Sequence, residues 1–154
     1  IEVVHTPGHL SNHICLAVKE KKALFSGDHV MGWATTLISP PDGDLGSFMR
    51  SLEKLSERDE FIFYPGHGKP LREPKKMVLA QIAHRRDRET QILSCISKNA
   101  KTPSEIVDDV YTDLNPMLKT AAIRNVLAHL IDLYERKKVS VDKFAITAKF
   151  FKVI

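Results

Sequence analysis

His5-Thr6-Pro7-Gly8-His9, Ser26-Gly27-Asp28 and Tyr64-Pro65-Gly66-His67-Gly68 each place a metal-capable side chain just after a strand-like apolar run. Imidazole nitrogen and carboxylate oxygen together suit zinc, manganese or iron. A Gly or Pro beside each candidate lets the backbone turn sharply and deliver the side chain into a shared cleft. The set is incomplete, because a hydrolytic centre takes three protein ligands per metal and the chain contains no H-x-H pair to supply the rest. The segments therefore read as half of a metal site.

Outward from these motifs, 154 residues with a 43% hydrophobic fraction are enough for one compact domain or two small ones with a real core. No apolar run approaches the length of a membrane span, which argues against a membrane partner. The opening Ile1-Glu2-Val3-Val4 lacks the basic-then-apolar layout of a signal peptide and reads as the inside of a strand in something longer. Cys15 and Cys95 sit in apolar surroundings, which predicts reduced thiols in a cytoplasmic, intracellular protein. The net charge of +4 permits an anionic substrate or nucleic acid without requiring one.

The apolar pattern predicts strands over Ile14 to Val18 and Ala23 to Phe25, joined by the polar turn Glu20-Lys21-Lys22, a hairpin that delivers Asp28. The stretch from His29 to Asp44 holds Gly32, Trp33, Pro40, Pro41 and Gly43, too irregular for a helix and long enough to be a functional loop. Phe48, Leu52 and Leu55 mark an amphipathic helix, and Phe61 to Tyr64 a strand ending at Pro65-Gly66-His67.

After Pro70 the pattern changes. Pro74 suits the first turn of a long helix with Val78, Ile82, Ile92 and Ile96 on one side, apolar at both ends and charged across His84 to Glu89. That is the pattern of a connector whose ends dock on two bodies. Thr102-Pro103-Ser104-Glu105 has the form of a capping box. Asn115-Pro116 opens a further helix striped by Leu118, Ala122, Val126, Leu130 and Leu133. Val139 to Val141 and Ala145 to Phe150 are expected as strands around an Asp142-Lys143 turn. Three helices and a hairpin are the layout of a winged-helix module.

Thr6-Pro7-Gly8-His9, Ser26-Gly27-Asp28 and Pro65-Gly66-His67-Gly68 resemble, in order and spacing, the later motifs of the metallo-beta-lactamase superfamily. The loop Ser39-Pro40-Pro41-Asp42-Gly43-Asp44, the segment Met49-Arg50-Ser51-Leu52, the helix from His84-Arg85 to Gln91-Ile92-Leu93 and the tail narrow the resemblance to the lactamase-beta-like branch, which includes an endoribonuclease and many hydrolases. The resemblance implies an α+β chain: residues 1–72 as the C-terminal half of an αββα sandwich, 73–98 as a connecting helix, and 99–154 as a mainly helical winged-helix domain.

The same resemblance implies that His9 binds one metal and His67 a second, with Asp28 as the bridging and catalytic carboxylate. Two divalent cations, zinc foremost, about 3.5–4 Å apart lower the pKa of a shared water to ~7 and stabilise charge on a carbonyl or phosphoryl oxygen. The family's H-x-H-x-D-H segment is absent, so the site is expected to be incomplete or empty in this chain and the chain inactive alone. The parent is read as a metal-dependent hydrolase acting on single-stranded RNA or a small acyl ester or thioester. The inner sandwich face, left open, is expected either to drive self-association or to leave the chain in a non-native arrangement. The rival expectation is a nucleic-acid-binding winged-helix module carrying a vestigial metallo half-domain.

Other conspicuous residues carry less. His5, His13 and His29 flank the motifs and read first as hydrogen-bonded structural histidines, with His5 the candidate for supporting a ligand. His84 and His129 are assigned no chemistry. Trp33 and Asp42-Gly43-Asp44 are candidates for a substrate cleft, weighed evenly against simple packing. Arg85, Arg86 and Arg88 read as a solvated helix face before they read as phosphate contacts.

Overall fold

The computed structural model describes residues 1–153 apart from 142 and 144. Its contacts divide the chain into Ile1–Arg85 and Arg86–Ile154.

The first unit is built on a four-stranded sheet of β1 (Glu2–His5), β2 (Ile14–Val18), β3 (Ala23–Gly27) and β4 (Ile62–Pro65), in that spatial order. The first three strands are antiparallel neighbours, while β3 and β4 run parallel. The polar turn between β2 and β3 is a short 3-10 helix at Lys19–Lys21, closed by Lys22 in a left-handed conformation. The parallel pair aligns the ends of β3 and β4, because Gly27 is in register with Pro65 and Gly66 N–H donates to the Gly27 carbonyl at 2.8 Å.

One sheet face is closed by α1 (Leu45–Ser56), whose Phe48, Leu52 and Leu55 are buried together with Val4, Cys15, Ala17, Leu24 and Phe63. The other face is open. Register pairs Val3 with Leu16, Leu16 with Phe25 and Phe25 with Tyr64, giving one apolar row across all four strands. Val3 is 63% exposed and Phe25 49%, and Phe25 stacks on Tyr64 at 5.3 Å between ring centroids.

The helix α2 (Pro74–Cys95) contains the division between the units. In the first unit Val78, Gln81, Ile82 and Arg85, spaced i, i+3, i+4, i+7, are all buried. This corrects the expectation that the charged run from His84 to Glu89 is a solvated face, because Arg85 is only 4% exposed.

The second unit has a core of Ile92, Ile96, Ile106, Val107, Val126, Leu130, Leu133 and Phe150. It contains α3 (Pro103–Val110), a 3-10 turn at Pro116–Leu118, α4 (Lys119–Glu135), and the short antiparallel pair β5 (Val139–Ser140) and β6 (Phe151–Lys152). The capping box is formed as expected: Glu105 N–H donates to Thr102 Oγ1, and Thr102 N–H to the Glu105 carboxylate at 2.7 Å. The second strand of the hairpin is displaced from its expected place. Ile146 and Thr147 form a turn, Phe150 pairs with Lys101 instead, and only Phe151 and Lys152 face β5. The expected Asp142-Lys143 turn falls partly outside the described residues. Both cysteines are free thiols, and no helix among the described residues is long and apolar enough to cross a membrane.

Candidate metal centre

Asp28 and His67 reach the same point because they follow the C-terminal ends of adjacent parallel strands. Gly66, between them, leaves room for the carboxylate: a Cβ there would lie 2.6 Å from Asp28 Oδ1. His9 arrives from the turn after β1, where Gly8 has φ +139° and a Cβ would lie 2.3 Å from the Phe48 backbone. Only glycine allows α1 to approach this closely and keeps that backbone conformation unstrained. Gly8 also accepts from Asp44 N–H at 2.9 Å, so the turn and the start of α1 are joined.

The three side chains meet around Asp28. Its Oδ2 lies 4.0 Å from His9 Nε2 and its Oδ1 lies 3.6 Å from His67 Nε2. His9 Nδ1 donates to the Leu37 carbonyl at 2.8 Å, which leaves the Nε2 lone pair of the neutral ring facing Asp28. One carboxylate oxygen per imidazole, at separations too long for direct hydrogen bonds, fits a pair of cations bridged by the carboxylate. Each such position has one histidine and one oxygen. Among the described residues no three His, Cys, Asp or Glu side chains converge on a single ion.

Of the flanking histidines, His5 and His13 are hydrogen-bonded as expected and His29 is not. His5 bonds the Ser11 carbonyl from an exposed position and supports no ligand. His13 is held by Thr6 Oγ1 at 2.9 Å, and the same hydroxyl reaches Cys15 Sγ at 3.2 Å. Burial of that thiol pushes its pKa up to about 11. Burial is also the main cause lowering the pKa of His13, followed by the nearby His9. His29 is fully buried between His13 and the Phe48 ring, and neither of its ring nitrogens has a hydrogen-bond partner. Burial first, then His13 and His9, press its pKa down to about 3, against a weaker opposing pull from the Phe48 backbone.

The two acidic residues of the Asp42-Gly43-Asp44 turn are structural. Asp44 caps α1 by accepting from Ser47 N–H at 2.6 Å, and Asp42 accepts from Ser11 N–H. Trp33, by contrast, is 69% exposed beside the centre, its indole Cδ1 2.9 Å from where a Cβ on Gly68 would sit. It borders a hollow with Met31, Thr35, Met77, Gln81 and His84. The sequence reading missed Thr36, Gln81 and Arg85 as buried polar residues behind the site. The i, i+3, i+4, i+7 spacing of Gln81 and Arg85 with Val78 and Ile82 was the available signal.

Residues 1–67 match the metallo-beta-lactamase superfamily, and residues 102–145 match the beta-lactamase associated winged helix domain. The chain is 36% identical over 148 residues to the beta-lactamase-like protein 2 homolog of Drosophila melanogaster, covering 94% of this chain and 49% of that protein. It is 30% identical over 132 residues to an atrochrysone carboxyl ACP thioesterase of Paecilomyces divaricatus, covering 80% of this chain and 41% of that protein. A beta-lactamase domain protein from Burkholderia ambifaria shares the fold, with a TM-score of 0.88 at 22% identity over 99% of this chain and 48% of its own. This chain belongs to the metallo-beta-lactamase superfamily and carries its winged-helix tail, and its relatives include hydrolases. It spans about half the length of the curated relatives it matches.

Proposed function

We propose that the chain supplies one half of a two-metal hydrolase centre whose substrate is an acyl thioester. The observation that carries this is the Asp28 carboxylate, which presents one oxygen to His9 and the other to His67. Two divalent cations, zinc foremost by donor set, would supply an activated water near neutral pH and positive charge where a carbonyl oxygen gains negative charge. His9 and His67 would each hold one cation, and the Asp28 carboxylate would reach both. The hydrolase is complete when an upstream segment carrying H-x-H-x-D-H contributes the remaining ligands.

Support for an acyl substrate comes from the surroundings. The exposed indole of Trp33, which lies against Gly68, borders a hollow lined also by Met31, Met77, Thr35, Gln81 and His84, with no lysine or arginine in that lining. An RNA substrate would draw on arginine and lysine, yet Arg85 is buried and Arg88 lies 3.9 Å over the Tyr111 ring. In the winged-helix unit three cations are paired with acids: Lys101 with Asp109, Lys119 with Asp108, and Arg136 with Glu89 and Asp132. That pairing weighs against the rival reading of this unit as a nucleic-acid binder.

The test compares metal content and hydrolysis of an acyl thioester and of single-stranded RNA, for this chain and for a version extended upstream to include H-x-H-x-D-H. The expected result is about two tightly held metals and thioester turnover in the extended form alone, with the 154-residue chain taking up metal only weakly, on titration. RNA cleavage without thioesterase activity would overturn the substrate, and stoichiometric metal with turnover in the 154-residue chain would overturn the half-site reading.

A further inference from the structure

The loop between β3 and α1 is fastened to α2 by two buried side chains one helical turn apart. Gln81 Nε2 donates to the Met31 carbonyl at 2.9 Å, and the Arg85 guanidinium donates to the Thr36 carbonyl. Arg85 also lies over the Phe48 ring, 5.4 Å from its centroid, on the residue whose backbone packs against Gly8. Burying a guanidinium is costly unless its bonds are made, so its geometry here is tightly determined.

The fastened segment touches two of the candidate ligands. Thr36 Oγ1 donates to the Asp28 carbonyl at 2.6 Å, and the Leu37 carbonyl, one residue on, accepts from His9 Nδ1 at 2.8 Å. A shift of Thr36–Leu37 would therefore release the backbone of the bridging carboxylate and remove the bond that keeps the proton of His9 on Nδ1. We propose that Arg85, acting through Thr36 and Leu37, is a positioning residue of the metal centre. It holds Asp28 in place and fixes the tautomer in which His9 can ligate. The inference rests on the reading of His9, Asp28 and His67 as ligands.

The test uses the 154-residue chain and compares wild type with Arg85→Met, Arg85→Lys, Thr36→Val and, as a control, the exposed neighbour Arg86→Met. Ring 15N–1H correlations at about pH 8.5, above the ordinary imidazole range, report the His9 tautomer without metal. Titration with Co2+ reports ligation through broadening of the His9 and His67 ring signals. Wild type should show His9 as the Nδ1–H tautomer, and both histidines should respond to Co2+ together. Arg85→Met should mix the His9 tautomers and raise the Co2+ midpoint about 10–100-fold, the usual effect of losing an outer partner of a ligand. Thr36→Val, which keeps the shape of the side chain, should raise the midpoint while leaving His9 as Nδ1–H. Arg85→Lys should keep the tautomer, and Arg86→Met should match wild type.

A purely structural Arg85 would lower thermal stability and leave both readouts at wild-type values, and that result overturns the proposal. If Arg85→Met does not fold, an unchanged midpoint in Thr36→Val overturns it alone. If Co2+ leaves His9 and His67 untouched in wild type, the ligand reading fails, and the metal-free tautomer of Arg85→Met still decides whether the arginine governs His9.

Discussion

Protonating a fully buried imidazole beside other histidines places a charge where little solvates it, and burial above all holds His29 neutral. Above pH ~6.5 the folded and unfolded states bind the same number of protons at this position. Between that value and the folded pKa of about 3, the unfolded chain takes up a proton that the folded chain refuses. Stability must therefore fall as the pH falls, by up to about 1.4 kcal/mol per unit, and the lowered pKa of His13 adds with the same sign. Urea unfolding of the metal-free chain at pH 7 and pH 5 checks this, and His29→Phe should flatten the slope. Two glycines separate site from scaffold at the same scale. Gly8→Ala sets a Cβ against backbone at a positive φ and should cost more than about 2 kcal/mol in unfolding free energy. Gly66→Ala crowds the tip of the Asp28 side chain and meets the Gly27 backbone only at an ordinary 3.4 Å. It should spare the melting temperature and weaken Co2+ binding.

Among the elements, what could be read beforehand depended on whether one residue type has one use. Thr102 and Glu105 bracket a proline at the first helical position, a pattern with few meanings, and the capping box forms as written. Thr102→Ala should lower the stability of the second unit by about 1 kcal/mol, measured by hydrogen exchange of α3 amides. Arginine has many uses. In α2 the charged letters from His84 to Glu89 suggested solvent, whereas burial follows the helical period and takes Gln81 and Arg85 inward as the apolar Val78 and Ile82 dictate. The hairpin strand was misplaced for a related reason. Ala145 to Phe150 alternates as a strand should, but Phe150 is completely buried in the core beside Lys101, and pairing with β5 begins only at Phe151. The chemical motifs were legible because Gly and Pro beside His and Asp have a steric reason to be there. Thr36 was not, since a threonine in a long loop gives no sign that it will bond a carbonyl eight residues back.

At the scale of the whole molecule, the open sheet face is the dominant feature of the first unit. The row Val3, Leu16, Phe25 and Tyr64 carries no charge, and a contiguous apolar surface of this kind favours association. For the 154-residue chain on its own, the surface of matching chemistry is the same row on a second copy. The chain should sediment as a dimer at high micromolar concentration. Phe25→Lys, at a half-exposed position, should yield a folded monomer, and a monomeric wild type would sink the idea. The alternation that makes the row was present in the strands from the start. Which face α1 would cover was not, because that depends on the close approach at Gly8. One further consequence lies in Trp33, the sole tryptophan of the chain, which stands exposed against Gly68 and next to His67. Its emission reports on this one spot and nothing else, so the protein carries its own optical gauge. Quenching by a cobalt ion, or a blue shift as an acyl chain displaces water from the indole, would register events at the centre without any label.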